Sequence, residues 1–146
     1  MLDESRKKRY KQKLERLGEY NRLFKNWFSG WKLSDLEQQH DFEKIFAIYH
    51  SIQLIIEVMT DIIAMMLKDL SLIVEDNYTN FEKLFKKNII SNDLFQGLKK
   101  LNGLRNRIVH DYNGIIDEVV WASMEENNKY IDEFESIVKK WLDQKA

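Results

Sequence analysis

Apolar residues along this chain recur every three to four positions over long stretches, the period of an α-helix with one buried face. Over residues 3–31 that face is Tyr10, Leu14, Leu17, Phe24, Trp27, Phe28 and Trp31, which predicts a first long helix. Ser34 with Glu37 reads as a capping box and marks a fresh helical start near Leu33. Residues 35–41 fit either a separate turn or the beginning of the next helix. Residues 41–69 predict a helix of another character. Phe42, Ile45, Phe46, Ile48, Tyr49 and Ile52, with most positions from there to Leu67, wrap nearly all round it, as in a central helix. Such a surface looks too large for one small bundle to hide and predicts a second copy covering it. The polar residues Gln53, Glu57 and Asp61 recur every four positions and share one narrow face.

Thr79 with Glu82 forms a second capping box and predicts a helix over about 80–87. Ser91 or Asn92 caps a fourth helix over about 93–112, and Asn113-Gly114 stops it, because both residues tolerate the left-handed backbone of a helix end. The seam Ile116, Val120, Met124, Ile131, Phe134, Val138 and Trp141 predicts a fifth helix over about 117–142. The expected fold is all-α: an up-and-down bundle of about five helices, forming one domain over 1–146.

Composition agrees with long helices and few turns, since 146 residues include no proline and five glycines. A hydrophobic share of 44% is enough for a core and argues against disorder. The net charge of -1 gives no global pull toward nucleic acid. The basic residues are nevertheless bunched at the start, as Arg6, Lys7, Lys8, Arg9, Lys11 and Lys13. That run can meet a phosphate backbone or form a plain solvated turn. Without cysteine there is no disulfide, thiolate site or thiol nucleophile. His40, His50 and His110 lack zinc-ligand spacing, so neither metal nor cofactor is expected. No apolar segment follows the basic start as in a signal peptide. The run 52–67 is interrupted by Gln53, Glu57, Thr60 and Asp61 and falls short of the roughly 20 residues of a membrane span. The expected location is the cytoplasm, away from membranes.

Chemistry concentrates at the end of the fourth helix. At 100° per residue, Leu94, Leu98, Leu101, Ile108 and Tyr112 gather on one side, with Arg105 near the middle of it. A guanidinium there is costly unless it is paired or faces a ligand. Asn106 and His110, four apart, stack on one flank. Arginine can hold a phosphate through two parallel hydrogen bonds, histidine can take or give a proton near neutrality, and asparagine can orient an oxygen. RNA brings its own nucleophile, the 2′-hydroxyl, so such a trio can cleave it without a metal. The plainer reading of the same residues is that Arg105 snorkels, His110 caps the helix and Asn106 is solvated.

The stretch Arg105-Asn106-Arg107-Ile108-Val109-His110-Asp111-Tyr112 resembles the Arg-Asn-x-x-x-His-x-Tyr signature of HepT toxins, members of the HEPN superfamily that pair with minimal nucleotidyltransferase (MNT) antitoxins. The likeness extends to Asn77-Tyr78-Thr79-Asn80-Phe81, to Leu84, Ile90, Leu94, Leu98 and Leu101, and to Gln53, Glu57, Asp61 and Ile62; it covers about residues 4–142. The resemblance implies a two-fold homodimer in which two motif helices form a composite RNA-cleaving cleft. Arg105, Asn106 and His110 would be catalytic. Tyr112 would match the tyrosine that the antitoxin modifies with AMP.

Glu57 and Asp61 could line that cleft or form a mere solvent stripe. Tyr49 and His50 read as core or interface, and His40 as a surface turn. Trp27, Trp31, Trp121 and Trp141 read as core, and Met59, Met65 and Met66 as core filler or dimer interface. Three functions stay in view: a metal-independent endoribonuclease toxin, a non-catalytic substrate-binding subunit of a nucleotidyltransferase, and a generic helical interaction domain.

Overall fold

The computed structural model describes residues 2–110 and 114–145. Among them lie seven α-helices and no strand: α1 (Glu4–Phe28), α2 (Leu33–Gln38), α3 (Phe42–Asp69), α4 (Asn77–Lys86), α5 (Asn92–Val109), α6 (Glu118–Asn127) and α7 (Lys129–Lys145). The all-helical class agrees with the hydrophobic period. The number of helices exceeds the five expected, for two local reasons. Residues 33–38 form their own short helix, and Asp41 caps a separate start by accepting the Lys44 N–H at 3.2 Å. The last predicted helix is broken at Asn128, whose side-chain amide donates to the Met124 carbonyl at 2.8 Å and the Glu125 carbonyl at 3.3 Å. An asparagine side chain that competes for backbone carbonyls interrupts a helix without changing its apolar phase. Val120 and Met124 therefore continue into Ile131, Phe134, Val138 and Trp141 as one buried seam.

Two caps also move. α4 starts at Asp76, whose carboxylate accepts the Thr79 N–H at 2.9 Å, so Thr79 is inside the helix and not its cap. At α2 it is Asp35 that reaches back to the Lys32 N–H, at 3.3 Å, in place of the Ser34–Glu37 pair. Ser91 caps α5 as expected, accepting the Leu94 N–H at 3.1 Å.

α3 is long and apolar enough to cross a membrane by length and composition alone. In this fold it is the core helix. Ile52, Ile55, Ile56, Val58, Met59, Ile62, Ile63, Met65, Met66 and Leu67 are all buried within the chain. The expectation that one bundle could not hide this surface is therefore overturned: α1, α4 and α5 cover it between them. One narrow stripe of α3 stays open, and it holds Phe46, His50, Gln53, Glu57 and Asp61.

α1 runs antiparallel to α3. Arg6 grips Asp69 with two hydrogen bonds, 3.1 Å from Nε and 2.9 Å from Nη2, while Lys13 meets Asp61 at 3.0 Å. The Tyr10 hydroxyl also donates to Asp69, and burial together with that carboxylate pushes its pKa up. α5 is held on its far side by α7, where Gly97 faces the ring of Tyr130.

A β-carbon at Gly97 would lie 2.4–2.5 Å from three ring atoms of Tyr130. The ring is buried and its hydroxyl donates to Asp93 at 3.2 Å, so it cannot simply swing away. Gly97→Ala is expected to lose about 1–3 kcal/mol to overpacking, outweighing a helix-propensity gain of up to about 1 kcal/mol. Gly103→Ala would meet only the Tyr78 hydroxyl, at 4.0 Å, and should keep the gain. Urea denaturation of both variants checks this; a Gly97→Ala midpoint at or above that of Gly103→Ala contradicts it.

Candidate active site

α3 and α5 cross so that the last turns of α5 lie beside the open stripe of α3. Arg105 Nη2 donates to Glu57 Oε1 at 3.1 Å, and the Gln53 amide donates to the same oxygen at 3.2 Å. Arg105 Nη1 reaches Asn106 Oδ1 at 3.3 Å. The awkward guanidinium on an apolar helix face is thus paired, as its position demanded. The pair is not sealed: the Arg105 and Glu57 side chains keep 28% and 39% of their surface exposed. The cation is held in place yet open to a ligand.

His110 is the C-cap of α5, and its backbone N–H donates to the Asn106 carbonyl at 2.7 Å. Its side chain is exposed. Arg105, Asn106 and His110 therefore share the open end of one helix. Tyr112 lies outside the described residues. Asp61, one turn along α3 from Glu57, pairs with Lys13 of α1 and not with Arg105. Of the two carboxylates singled out in the sequence, the structure brings one to the motif. His50 is exposed, whereas Tyr49 is buried. Met59, Met65 and Met66 are core. Among the described residues no group of three or more His, Asp or Glu is placed to hold a metal.

The second arginine of the motif has a separate task that its spacing did not reveal. Arg107 donates to the Asp117 carboxylate twice, at 2.9 Å from Nε and 3.3 Å from Nη2. The same carboxylate caps α6 by accepting the N–H groups of Val119 and Val120 at 3.1 and 3.2 Å. The Tyr49 hydroxyl accepts the Asp117 N–H at 3.2 Å. α3, α5 and α6 are therefore clasped together just beyond the motif. Burial works to raise the Asp117 carboxyl, but the Arg107 guanidinium and the two N–H groups outweigh it and hold it below the usual carboxylate range. An aspartate directly before Glu118-Val119-Val120 is a cap signal in the sequence; nothing there announces its bond to Arg107.

The family described as "Ribonuclease HepT-like" matches residues 11–140. This chain belongs to that family. Among HepT-like relatives, a protein of Archaeoglobus fulgidus named "Putative RNase" is 41% identical over 101 residues, covering 66% of this chain and 76% of that protein. One of Methanocaldococcus jannaschii with the same kind of name is 46% identical over 67 residues, covering 46% of this chain and 77% of the relative. In fold, the HepT-like chain matches a tri-AMPylated HEPN toxin of Shewanella oneidensis, solved in complex with an MNT antitoxin. That match has a TM-score of 0.76 over 88% of this chain and 95% of the other, at 22% identity. It establishes the HEPN toxin fold.

Because Asp117 is held low in the folded chain, its stabilisation is complete above the unfolded carboxylate value of about 4 and is lost as pH falls through the lower folded value. Asp117→Ala removes a helix cap, about 1 kcal/mol, and charge-assisted hydrogen bonds, about 1.5–3 kcal/mol. At neutral pH it should destabilise by about 2–4 kcal/mol. The gap to the unmodified chain should narrow toward pH 3. Thermal melts across that range decide; a gap that stays constant with pH would place the effect in packing.

Proposed function

We propose that this chain is the toxin of a HEPN/MNT toxin–antitoxin pair, a metal-independent endoribonuclease silenced by a nucleotidyltransferase that places AMP on Tyr112. The observation that supports this best is the Arg105 guanidinium, paired with Glu57 and Asn106 on the same helix end that carries the exposed His110, in a chain with an HEPN fold. Membership in the HepT-like ribonuclease family and relatives named for RNase activity support the substrate class. The antitoxin and the AMP group rest on the fold neighbour.

The chemistry follows from the groups present. An RNA 2′-hydroxyl attacks the adjacent phosphorus, one imidazole accepts its proton, and Arg105 neutralises the charge growing on the phosphoryl oxygens. The 5′-oxygen leaves with a proton donated by an acid, and the products are a 2′,3′-cyclic phosphate and a 5′-hydroxyl. Each motif supplies one histidine, whereas base and acid are two roles. A two-fold dimer through α3 and α5 supplies the second His110. The exposed Phe46 on the open stripe of α3 and Val109 at the end of α5 suit such a contact. Glu57 acts as a positioning residue: it steers Arg105 without touching RNA. AMP on Tyr112, two residues beyond His110 in sequence, would add an anionic phosphate that competes with RNA for the Arg105 guanidinium.

His110→Ala should abolish RNA cleavage and toxicity while leaving the melting temperature nearly unchanged, because the side chain is exposed. Arg105→Ala should slow cleavage at least tenfold, the effect of losing about 1.5–3 kcal/mol of charge-assisted phosphate binding. EDTA should not inhibit, and DNA should not be cut. Full toxicity of His110→Ala would favour a non-catalytic subunit of the nucleotidyltransferase instead. A monomer in sedimentation at micromolar concentration would remove the second imidazole and this mechanism with it.

Co-expression with a neighbouring nucleotidyltransferase should add AMP units to the intact mass, and Tyr112→Phe should eliminate them. An unshifted mass, with Tyr112→Phe still neutralised, would mean that silencing proceeds by binding alone.

A further inference from the structure

The basic run at the start of the chain is not used by the mechanism above. The structure sorts its members. Arg6 is committed to Asp69, while Arg9 and Lys13 turn toward α3. With Lys68 of α3 they line a hollow of about 250 Å³ whose floor is Asp61, Ala64 and Met65. Arg9 and Lys68 have no ion-pair partner among the described residues, and Lys13 shares its charge with the half-exposed Asp61.

The position of this hollow matters more than its charge. Asp61 and Glu57 are one turn apart on the open stripe of α3. Lys13 of α1 meets that stripe from one side, and Arg105 of α5 meets it from the other. The stripe is thus the floor of a groove with a basic wall on α1 and the motif on α5. We propose that this basic wall, made by Arg9 and Lys13 of α1 with Lys68 of α3, is a phosphate-binding rail that holds the RNA backbone flanking the bond cleaved at Arg105 and His110. The inference rests on the ribonuclease reading and adds to it a second, sequence-independent contact. Cations that touch only flanking phosphates position a strand without reading its bases. Asp61 moderates the rail, since it competes with phosphate for Lys13.

Binding is measured apart from cleavage, in a His110→Ala background, by anisotropy of a labelled single-stranded RNA oligonucleotide over a range of salt concentrations. Each lost phosphate contact reduces the slope of log Kd against log salt by about 0.7 on single strands. The double variant Arg9→Ala/Lys68→Ala should therefore flatten the slope by about 1.4. Asp61→Asn should tighten binding at low salt. Lys139→Ala/Lys140→Ala on α7 removes the same charge away from the groove and should leave the slope as it was. A slope unchanged in the rail variant, while the chain with His110 intact cleaves RNA, overturns the rail alone. Loss of affinity for the nucleotidyltransferase with an unchanged RNA slope makes the α1 face a protein-docking surface and equally overturns it. A chain that neither binds nor cleaves RNA overturns the rail and the ribonuclease reading together.

Discussion

The burial of α3 fixes most of what matters here. A helix of 28 residues with apolar side chains nearly all round must be covered on most of its circumference, and α1, α2, α4 and α5 provide the cover. The hydrophobic effect, at about 25 cal/mol per Å² of apolar surface, sets the places of these helices and has no interest in chemistry. What it cannot cover profitably is the stripe containing Gln53, Glu57 and Asp61, because burying those groups without partners would cost several kcal/mol. The groove between α1 and α5 is the consequence. It stays open along Gln53, Glu57 and Asp61 because those groups keep water or a charged partner.

Within that groove the Glu57–Arg105 pair is better understood as an orienting device than as a source of stability. Both side chains remain partly in water, and pairs of that kind are worth about 0–1 kcal/mol. A weak pair has a use. It keeps the guanidinium from folding back over the apolar face of α5, yet a phosphate offering two oxygens can take its place at little cost. The Arg107–Asp117 clasp is of the opposite kind. Its carboxylate is nearly sealed, at 5% side-chain exposure, and also caps α6. Two arginines two residues apart on one helix therefore divide the work: one is left available and the other is spent on holding α6 to the motif helix.

How much of this was legible in the sequence depended on whether the signal was local. The helices and the capping by Ser91 followed from period and neighbouring residue types. Glu57 was visible as one of three polar residues recurring on an apolar helix, and Arg105 as a charge where none should be free. What could not be read was which of these would meet. Glu57 and Asp61 are equivalent by spacing, and only the tilt of α1 and α5 against α3 sends one to Arg105 and the other to Lys13. The bond from Arg107 to Asp117 likewise joins two helices across a loop. The break at Asn128 was hidden because it leaves the apolar phase intact. The expectation that α3 needs a second copy to cover it failed for a related reason: apolar area can be counted from the sequence, but the area its own neighbours will cover cannot.

A net charge of -1 also concealed an uneven distribution. α6 and α7, which pack on α5 and show no extensive contact with α3, carry seven carboxylates (Glu118, Glu125, Glu126, Asp132, Glu133, Glu135 and Asp143) against four lysines (Lys129, Lys139, Lys140 and Lys145). The cations Arg9, Lys13, Lys68 and Arg105 border that stripe. At physiological salt, charges further apart than about 8 Å are largely screened. A polyanion in the groove therefore responds to the cations at its walls far more than to the acids behind them. Screening turns a nearly neutral chain into a basic groove with an acidic back. Composition averages over the two faces, and so argued neither for nor against a nucleic-acid partner.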